Sequence, residues 1–272
     1  MSKTSNQLIL RKRGQVTIFI IIAVLILAGV ALFLILKGGV FDRAFEAKED
    51  DISALSREAV QVRNYVDNCF ERALKTTLFI NALQGGYYIA PIELPNLESY
   101  STSTYIHYYV VDNKTFIPTK NVILDQISIG VFDQLSECIK NSNFPYKINY
   151  SLSEIKINTS LDDEKIIMNA YFPISVDVEG SVSYMKRFSE EVSTEYFRFY
   201  KLAEEISEEQ ATHPNRVCVS CFDDFSKRYG MSITSDELYE NNELILIYSL
   251  EKYQYKEDPV LVYSFAHKLK LE

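Results

Sequence analysis

Four cysteines are the residues of this chain best suited to covalent chemistry. Cys69 and Cys138 each lie in the later part of a predicted helix, and Cys218 and Cys221 form a Cys-x-x-Cys pair. Cysteines in an oxidising compartment tend to pair. Of the three connectivities that four cysteines allow, the simplest joins Cys69 to Cys138 and Cys218 to Cys221. A cross-link between two distant helices would stabilise the fold by about 2 to 4 kcal/mol.

The Cys-x-x-Cys pair admits two functional interpretations besides a structural one. A thioredoxin-like redox site places such a pair at a helix N-terminus in a βαβ frame near the start of a domain, whereas Cys218 comes late in the chain without that frame. A zinc site could recruit His213, but four ligands are needed and no second pair lies nearby. A structural disulfide, or two buried thiols, is the simpler interpretation, and the sequence predicts no metal and no cofactor.

Acid–base chemistry has little support from the remaining polar residues. None of the three histidines, His107, His213 and His267, has a diagnostic partner at a fixed spacing. The motifs of serine hydrolases, zinc proteases and nucleotide-binding proteins are absent from the sequence. Six acidic residues that could form acid–base pairs are expected on one charged helix, where such residues more often form a solvent-exposed face. They are Glu190, Glu191, Glu204, Glu205, Glu208 and Glu209. A catalytic role therefore has no motif behind it, although a missing motif does not exclude an enzyme.

An aromatic-rich stretch could stack on sugars or line a protein interface. Its tyrosines are Tyr87, Tyr88, Tyr100, Tyr105, Tyr108 and Tyr109. His107 is expected to alternate with Tyr105 and Tyr109 on one face of a strand. Since tyrosine is also an ordinary strand residue, the sequence favours a structural role for the stretch.

Three asparagines fit the N-glycosylation pattern, which would suit an external face. They are Asn113, Asn149 and Asn158. About two such patterns are expected by chance in a chain of this composition, so three are weak support.

A single apolar run dominates the N-terminal part of the chain. Residues 16–36 contain one polar side chain, Thr17, and no charge. As a helix this run would be about 30 Å long, the thickness of the hydrocarbon core of a bilayer. The sequence therefore predicts a transmembrane helix whose partner is the lipid bilayer, contacted through Val16–Leu36.

The charges that flank the run predict its orientation. The first fifteen residues contain four basic side chains and no acidic one, and since the whole chain carries −9, the remaining 257 residues carry −13. A basic flank resists translocation, so we expect a cytoplasmic N-terminus and an exterior C-terminal domain. Lys37, Arg43 and Lys48, near the far end of the run, reduce this asymmetry.

The junction before the run has a more particular pattern. Lys12-Arg13-Gly14, followed by Gln15 and the apolar segment, resembles the class III signal of archaeal prepilins and archaellins. The resemblance covers about residues 11–36 and implies cleavage by a membrane peptidase between Gly14 and Gln15. The same start resembles uncut N-terminal anchors of archaeal membrane proteins of unknown function, and a plain signal anchor is the favoured interpretation.

Beyond the membrane segment, periodicity predicts an α+β domain with mainly antiparallel sheet and packed helices. The expected helices are one from near Asp50 to Leu83, Val122–Lys140, Phe188–Ala211 and a short one after Cys221. The expected strands are a hairpin over 105–117, Tyr146–Thr159, Lys165–Val178, Leu244–Leu250 and Val260–Phe265. The predicted regions are a basic leader (1–14), the transmembrane helix (15–37), a juxtamembrane linker (38–49) and the exterior domain (50–272), with a weak boundary near residue 180.

The sequence thus indicates a single-pass membrane protein with a binding or structural role on the cell surface. The net charge of −9 argues against nucleic acid as a partner, and a surface protein or a glycan is the expected one. A pilin-like assembly subunit and a membrane-tethered exterior enzyme are the two alternatives. The sequence leaves the ligand and the oligomeric state open.

Overall fold

The computed structural model describes residues 26, 55–90, 98–101, 104–161, 164–213, 215–239, 242–249 and 260–270. Apart from Ile26, the predicted transmembrane segment lies outside the described residues, as do the leader and the linker. Within the described ranges, no helix combines the length and apolar character needed to cross a bilayer. All described residues except Ile26 belong to one compact unit, Asp50–Glu272, which we call the domain.

The described part of the domain contains four α-helices and eleven strands. The helices are α1 (Arg57–Leu83), α2 (Lys120–Lys140), α3 (Tyr196–Thr212) and α4 (Val219–Tyr229). The strands are β1 (Glu98–Ser101), β2 (Thr104–Ile106), β3 (Tyr108–Val111), β4 (Lys114–Thr115), β5 (Lys147–Tyr150), β6 (Lys156–Leu161), β7 (Lys165–Val178), β8 (Ser181–Ser193), β9 (Ser232–Tyr239), β10 (Asn242–Tyr248) and β11 (Val262–Lys268).

The strands form two main sheets and a separate β1–β2 hairpin. In the first sheet, which we call the mixed sheet, the order is β4-β3-β11-β10-β9, and β3 runs parallel to β11. In the second, the antiparallel sheet, β5 and β6 lie one after the other along one edge of β7, and β8 lies along its other edge. The domain is therefore α+β, and β3 with β11 is the one parallel pair among the described strands.

Helix α1 has clear sequence signals at both ends. The side chain of Ser56 accepts a hydrogen bond from the backbone N–H of Ala59 at 3.2 Å and so caps the first turn. Gly85 and Gly86, with φ of 62° and 88°, allow the chain to turn away at the other end. Between these ends, apolar residues recur every three or four positions and are buried: Ala59, Val62, Val66, Cys69, Phe70, Ala73, Leu74, Leu78 and Ala82.

The β7–β8 hairpin is the longest strand pair of the domain. Glu179 and Gly180 both have positive φ, 52° and 87°, as a tight hairpin turn requires. Every second residue of β7 is buried against the helices, as expected for a strand with one face in a core: Ile166, Met168, Ala170, Phe172, Ile174 and Val176. The weak boundary suggested near residue 180 thus falls at a hairpin turn within the compact unit.

One continuous core joins the two sheets. Helix α1 packs against α2 and against β7, β8 and β11, so it contacts both sheets, while α3 packs on the mixed sheet. The two long helices approach closely at Gly130 of α2, where an added Cβ would lie 2.5 Å from Cγ2 of Thr77 on α1. The two helices therefore pack with no room for a side chain at this point.

Two predictions about the elements were wrong in part, and the strand β9 was missed. The expected helix Phe188–Ala211 begins only at Tyr196, because Ser181–Ser193 forms strand β8. The expected single strand Tyr146–Thr159 is interrupted by a 3₁₀ turn at Leu152–Glu154 and forms β5 and β6. Strand β9 was not predicted, because its sequence is largely polar.

Candidate functional site

The structure joins Cys69 to Cys138 in a disulfide, as the sequence predicts. This bond links α1 to α2 across 69 positions of the chain, and Cys69 is fully buried. Tyr65 reinforces the link, since its hydroxyl donates to the backbone carbonyl of Cys138 at 3.0 Å. The first disulfide is therefore part of the helix–helix core.

The second disulfide, Cys218–Cys221, lies at the N-terminal end of α4. Cys218 is the N-cap residue of this helix, and its carbonyl accepts from the backbone N–H of Cys221 at 3.0 Å. Both cysteines are half-buried, whereas the side chain of Val219 between them is 64% exposed. The hydroxyl of Ser220 lies 3.7 Å from Sγ of Cys218. This disulfide is thus at the surface, next to the partial positive charge of a helix N-terminus.

The rest of α4 is fixed to the domain through its other turns. Phe222 and Phe225 are buried, and Arg228 forms an ion pair of 2.6 Å with Glu205 of α3. A guanidinium nitrogen of Arg198 on α3 donates to the carbonyl of Tyr229 at 2.6 Å. These contacts hold one face of the helix on the domain. Cys221 also packs in part against the core, while Val219 on the other face is exposed.

The zinc interpretation gains no support from the geometry. Nδ1 of His213 lies 2.7 Å from the hydroxyl of Thr212 and 3.4 Å from a carboxylate oxygen of Glu209. Both sulfurs of the Cys-x-x-Cys pair are bonded to each other, so neither is a free thiolate ligand in this state. In the part of the chain that the structure describes, no three His, Cys, Asp or Glu residues are grouped to hold a metal ion.

A serine–histidine pair that the sequence analysis missed lies between α3 and β11. Oγ of Ser207 is 3.0 Å from Nε2 of His267, and Glu243 is the cross-strand neighbour of this histidine on β10. The order of side chains resembles a hydrolase triad, but two features argue against catalysis. Ser207 and His267 are completely buried, and within the described residues Nδ1 of His267 has no hydrogen-bond partner. Burial lowers the pKa of His267 to about 3, so the imidazole is neutral.

His107 is a second buried histidine. It lies between β2 and β3, where its Nε2 is 3.0 Å from the carbonyl oxygen of Phe116, and burial lowers its pKa to about 4. The expected alternation was wrong, because Tyr105 is exposed while His107 and Tyr109 are both buried.

The tyrosine-rich stretch forms core more than surface. Tyr87, Tyr108 and Tyr109 are buried, and the hydroxyls of Tyr109 and Tyr263 lie 2.6 Å apart. Tyr196 donates to the side-chain oxygen of Asn81 in the same buried region. A sugar-stacking surface along this stretch is therefore not supported. The side chain of Tyr100 lies outside the described residues.

The acidic residues are not on one helix, contrary to expectation. Glu190 and Glu191 lie on β8, and the other four lie on α3. Burial, with the nearby carboxylates of Asp67 and Glu71, raises the pKa of Glu190. Glu191 forms an ion pair of 3.1 Å with Lys165.

An open cleft of about 670 Å³ lies beside this ion pair. Its lining residues are Lys120, Leu161, Glu164, Lys165, Glu191, Ser193 and Phe197. Nζ of Lys120 donates to the carbonyl of Leu161 at 2.6 Å and lies 4.5 Å from the ring centre of Phe197. Both lysines of the cleft are therefore engaged with other groups of the protein.

The three candidate glycosylation residues all have exposed side chains. Asn113 is in the turn between β3 and β4, with φ of 69°. Asn149 and Asn158 lie on β5 and β6, along the same edge of β7.

Comparisons with known protein families, curated proteins and solved structures find no match to this chain.

Proposed function

We propose that this chain is a single-pass membrane protein whose α+β domain lies outside the cell and has a binding or structural role. The apolar run at 16–36 would anchor it, with the basic leader in the cytoplasm. In this proposal the leader is retained as part of a plain signal anchor. The likeness of the junction at Gly14 and Gln15 to the class III signal of archaeal prepilins and archaellins supports the alternative in which the leader is removed.

The observation that carries the proposal is the state of the cysteines. All four are in disulfides, and the chain has no free cysteine. Stable disulfides are typical of compartments outside the reducing cytosol. The exposed positions of Asn113, Asn149 and Asn158 are compatible with the same side of the membrane.

The two alternatives differ in what the domain does. A pilin-like subunit would be cleaved after Gly14 and would assemble through its apolar segment. A tethered enzyme would need an accessible reactive group, and Cys218 and Cys221 at the surface end of α4 are the best candidates among the described residues.

Mass spectrometry of the N-terminal peptide, after detergent extraction of the full-length protein from membranes, tests the proposal. A peptide that begins at Met1 or Ser2 would indicate a plain anchor. One that begins at Gln15 would indicate prepilin-type processing and favour surface assembly. Recovery of the protein only from the soluble fraction would contradict membrane anchoring in either form.

A further inference from the structure

The Cys218–Cys221 disulfide should contribute less to stability than Cys69–Cys138 does. It closes a loop with a sequence separation of three residues, compared with 69 for Cys69–Cys138. Helix α4 is already fixed through Phe222, Phe225 and the Arg228–Glu205 ion pair. Helix α4 should therefore stay in place when the Cys218–Cys221 bond is reduced, so this bond can break and form again without loss of the fold.

The position of the pair favours thiol chemistry. In the disulfide, the side chain of Cys218 at the N-cap makes no capping hydrogen bond. Reduction would free its sulfur to accept from the N–H groups of the first helical turn. The helix dipole and the nearby hydroxyl of Ser220 would further stabilise its thiolate. The opposing charges close in sequence are Asp223 and Asp224, whose side chains are exposed and screened by solvent.

From these observations we propose that Cys218 and Cys221 form a thiol–disulfide exchange site that acts on dithiols of other proteins. Cys218 is the residue that bonds to the partner, and Cys221 is the thiol that leaves when this mixed disulfide forms. The surroundings are not a thioredoxin-like βαβ frame, because α4 follows α3 and leads into β9.

The exchange consists of two displacements. A partner thiolate attacks Sγ of Cys218, the Cys218–Cys221 bond breaks, and Cys221 leaves as a thiolate that takes up a proton. The second thiolate of the partner then attacks the partner's own sulfur in the mixed disulfide, and Cys218 leaves as the thiolate. The partner dithiol is thereby oxidised to a disulfide, and its two electrons remain on Cys218 and Cys221.

A redox titration of the full-length protein in detergent tests the inference. The protein is equilibrated with glutathione buffers of decreasing oxidising strength, alkylated and analysed by peptide mass spectrometry. We expect Cys218–Cys221 to change from oxidised to reduced within the series while Cys69–Cys138 stays oxidised.

The oxidised protein should also convert a dithiol peptide to its disulfide, and the double variant Cys218→Ser/Cys221→Ser should not. Resistance of both disulfides throughout the series, or no oxidation of the peptide, would overturn the proposal.

Two single variants separate an exchange site from an exposed but passive disulfide. Cys221→Ser leaves Cys218 as the free thiol, and Cys218→Ser leaves Cys221. The thiolate is the attacking species, so an N-cap position that stabilises the thiolate of Cys218 makes this cysteine the faster nucleophile. We expect Cys221→Ser to form a mixed disulfide with oxidised glutathione at pH 6.5 faster than Cys218→Ser, by about fivefold. Equal rates in the two variants would contradict the assigned roles.

Discussion

Burial controls the protonation of several side chains in this domain. His107 and His267 are kept neutral, with pKa values lowered to about 4 and about 3. Burial also raises the pKa of Glu243 to about 7, partly offset by a hydrogen bond from Ser235. Each of these groups therefore changes its proton occupancy between the folded and the unfolded chain, and stability should depend on pH.

The variant Glu243→Gln should remove one part of this dependence. In the unfolded chain the carboxyl loses its proton near its ordinary pKa of 4.5, whereas in the fold it keeps the proton until about 7. The native state then holds more protons, so this residue makes the wild type less stable as pH rises from about 4.5 to 7. Urea unfolding of both proteins at pH 5 and 8 measures the effect. We expect the variant to gain stability relative to the wild type at pH 8, by at most about 3 kcal/mol. An unchanged difference between the two pH values would contradict a buried, protonated Glu243.

Ser207 should matter for stability and not for reactivity. The variant Ser207→Ala removes the hydroxyl that meets Nε2 of His267 in a fully buried site, and an unpaired buried polar atom costs about 1–3 kcal/mol. Chemical denaturation measures that loss, with Ser189→Ala on the exposed side of β8 as a control expected to change stability by less than about 0.5 kcal/mol. Labelling of native Ser207 by a fluorophosphonate probe would contradict this account and favour a hydrolase.

At the scale of elements, the two disulfides should differ in their effect on stability. The Cys69–Cys138 bond closes a loop of 69 positions between α1 and α2, and Cys218–Cys221 closes one of three. Chain-entropy arguments give about 4 kcal/mol for the first loop and about 2 kcal/mol for the second. Urea unfolding of Cys69→Ala/Cys138→Ala and of Cys218→Ala/Cys221→Ala tests this order. A larger loss for the second pair would show that the bond at α4 is structural.

The close approach of α1 and α2 makes a second prediction at this scale. Alanine favours a helix over glycine by about 1 kcal/mol. At Gly130, however, the new Cβ would lie 2.5 Å from Thr77 and 2.6 Å from Tyr88. We expect Gly130→Ala to reduce the melting temperature, since overpacking costs about 1–3 kcal/mol. Gly230→Ala gives a comparison without steric overlap, because its Cβ meets no atom within 4 Å and any loss there comes from the positive φ of 65°. A melting temperature for Gly130→Ala at or above that of the wild type would contradict the close packing.

The sequence predicts best the elements whose apolar residues recur at a regular spacing. Helix α1 shows apolar residues every three or four positions, and β7 was predicted over Lys165–Val178, as the structure has it. In β8, a register shift opposite residues 171–174 of β7 allows Met185 and Phe188 both to face the core, although they are three residues apart. In the part of β8 that was assigned to the helix, the apolar residues are Phe188 and Val192, and their spacing of four is that of a helix face.

The candidate site could be predicted only in part. The sequence identifies the Cys-x-x-Cys pair, because the two residues are close along the chain. Its position at a surface helix end depends on how α4 packs against α3, through contacts such as that between Arg228 and Glu205. The Ser207–His267 pair joins residues 60 positions apart and has no local signal at all.

At the scale of the whole molecule, an apolar run with a basic flank precedes a disulfide-linked α+β domain. The apolar run at 16–36 and its basic flank come from the sequence. The disulfide-linked α+β domain comes from the structure. The central claim is that these parts lie on opposite sides of the anchor, with the leader inside and the domain outside.

Labelling of single introduced cysteines in intact cells with a membrane-impermeant maleimide tests that claim most directly. Ser181→Cys places a thiol on the exposed β7–β8 turn, and Ser5→Cys places one in the leader. The four native cysteines are paired and should contribute little background. We predict that Ser181→Cys is labelled in intact cells and Ser5→Cys only after permeabilisation. Labelling of Ser181→Cys only after permeabilisation would contradict an exterior domain.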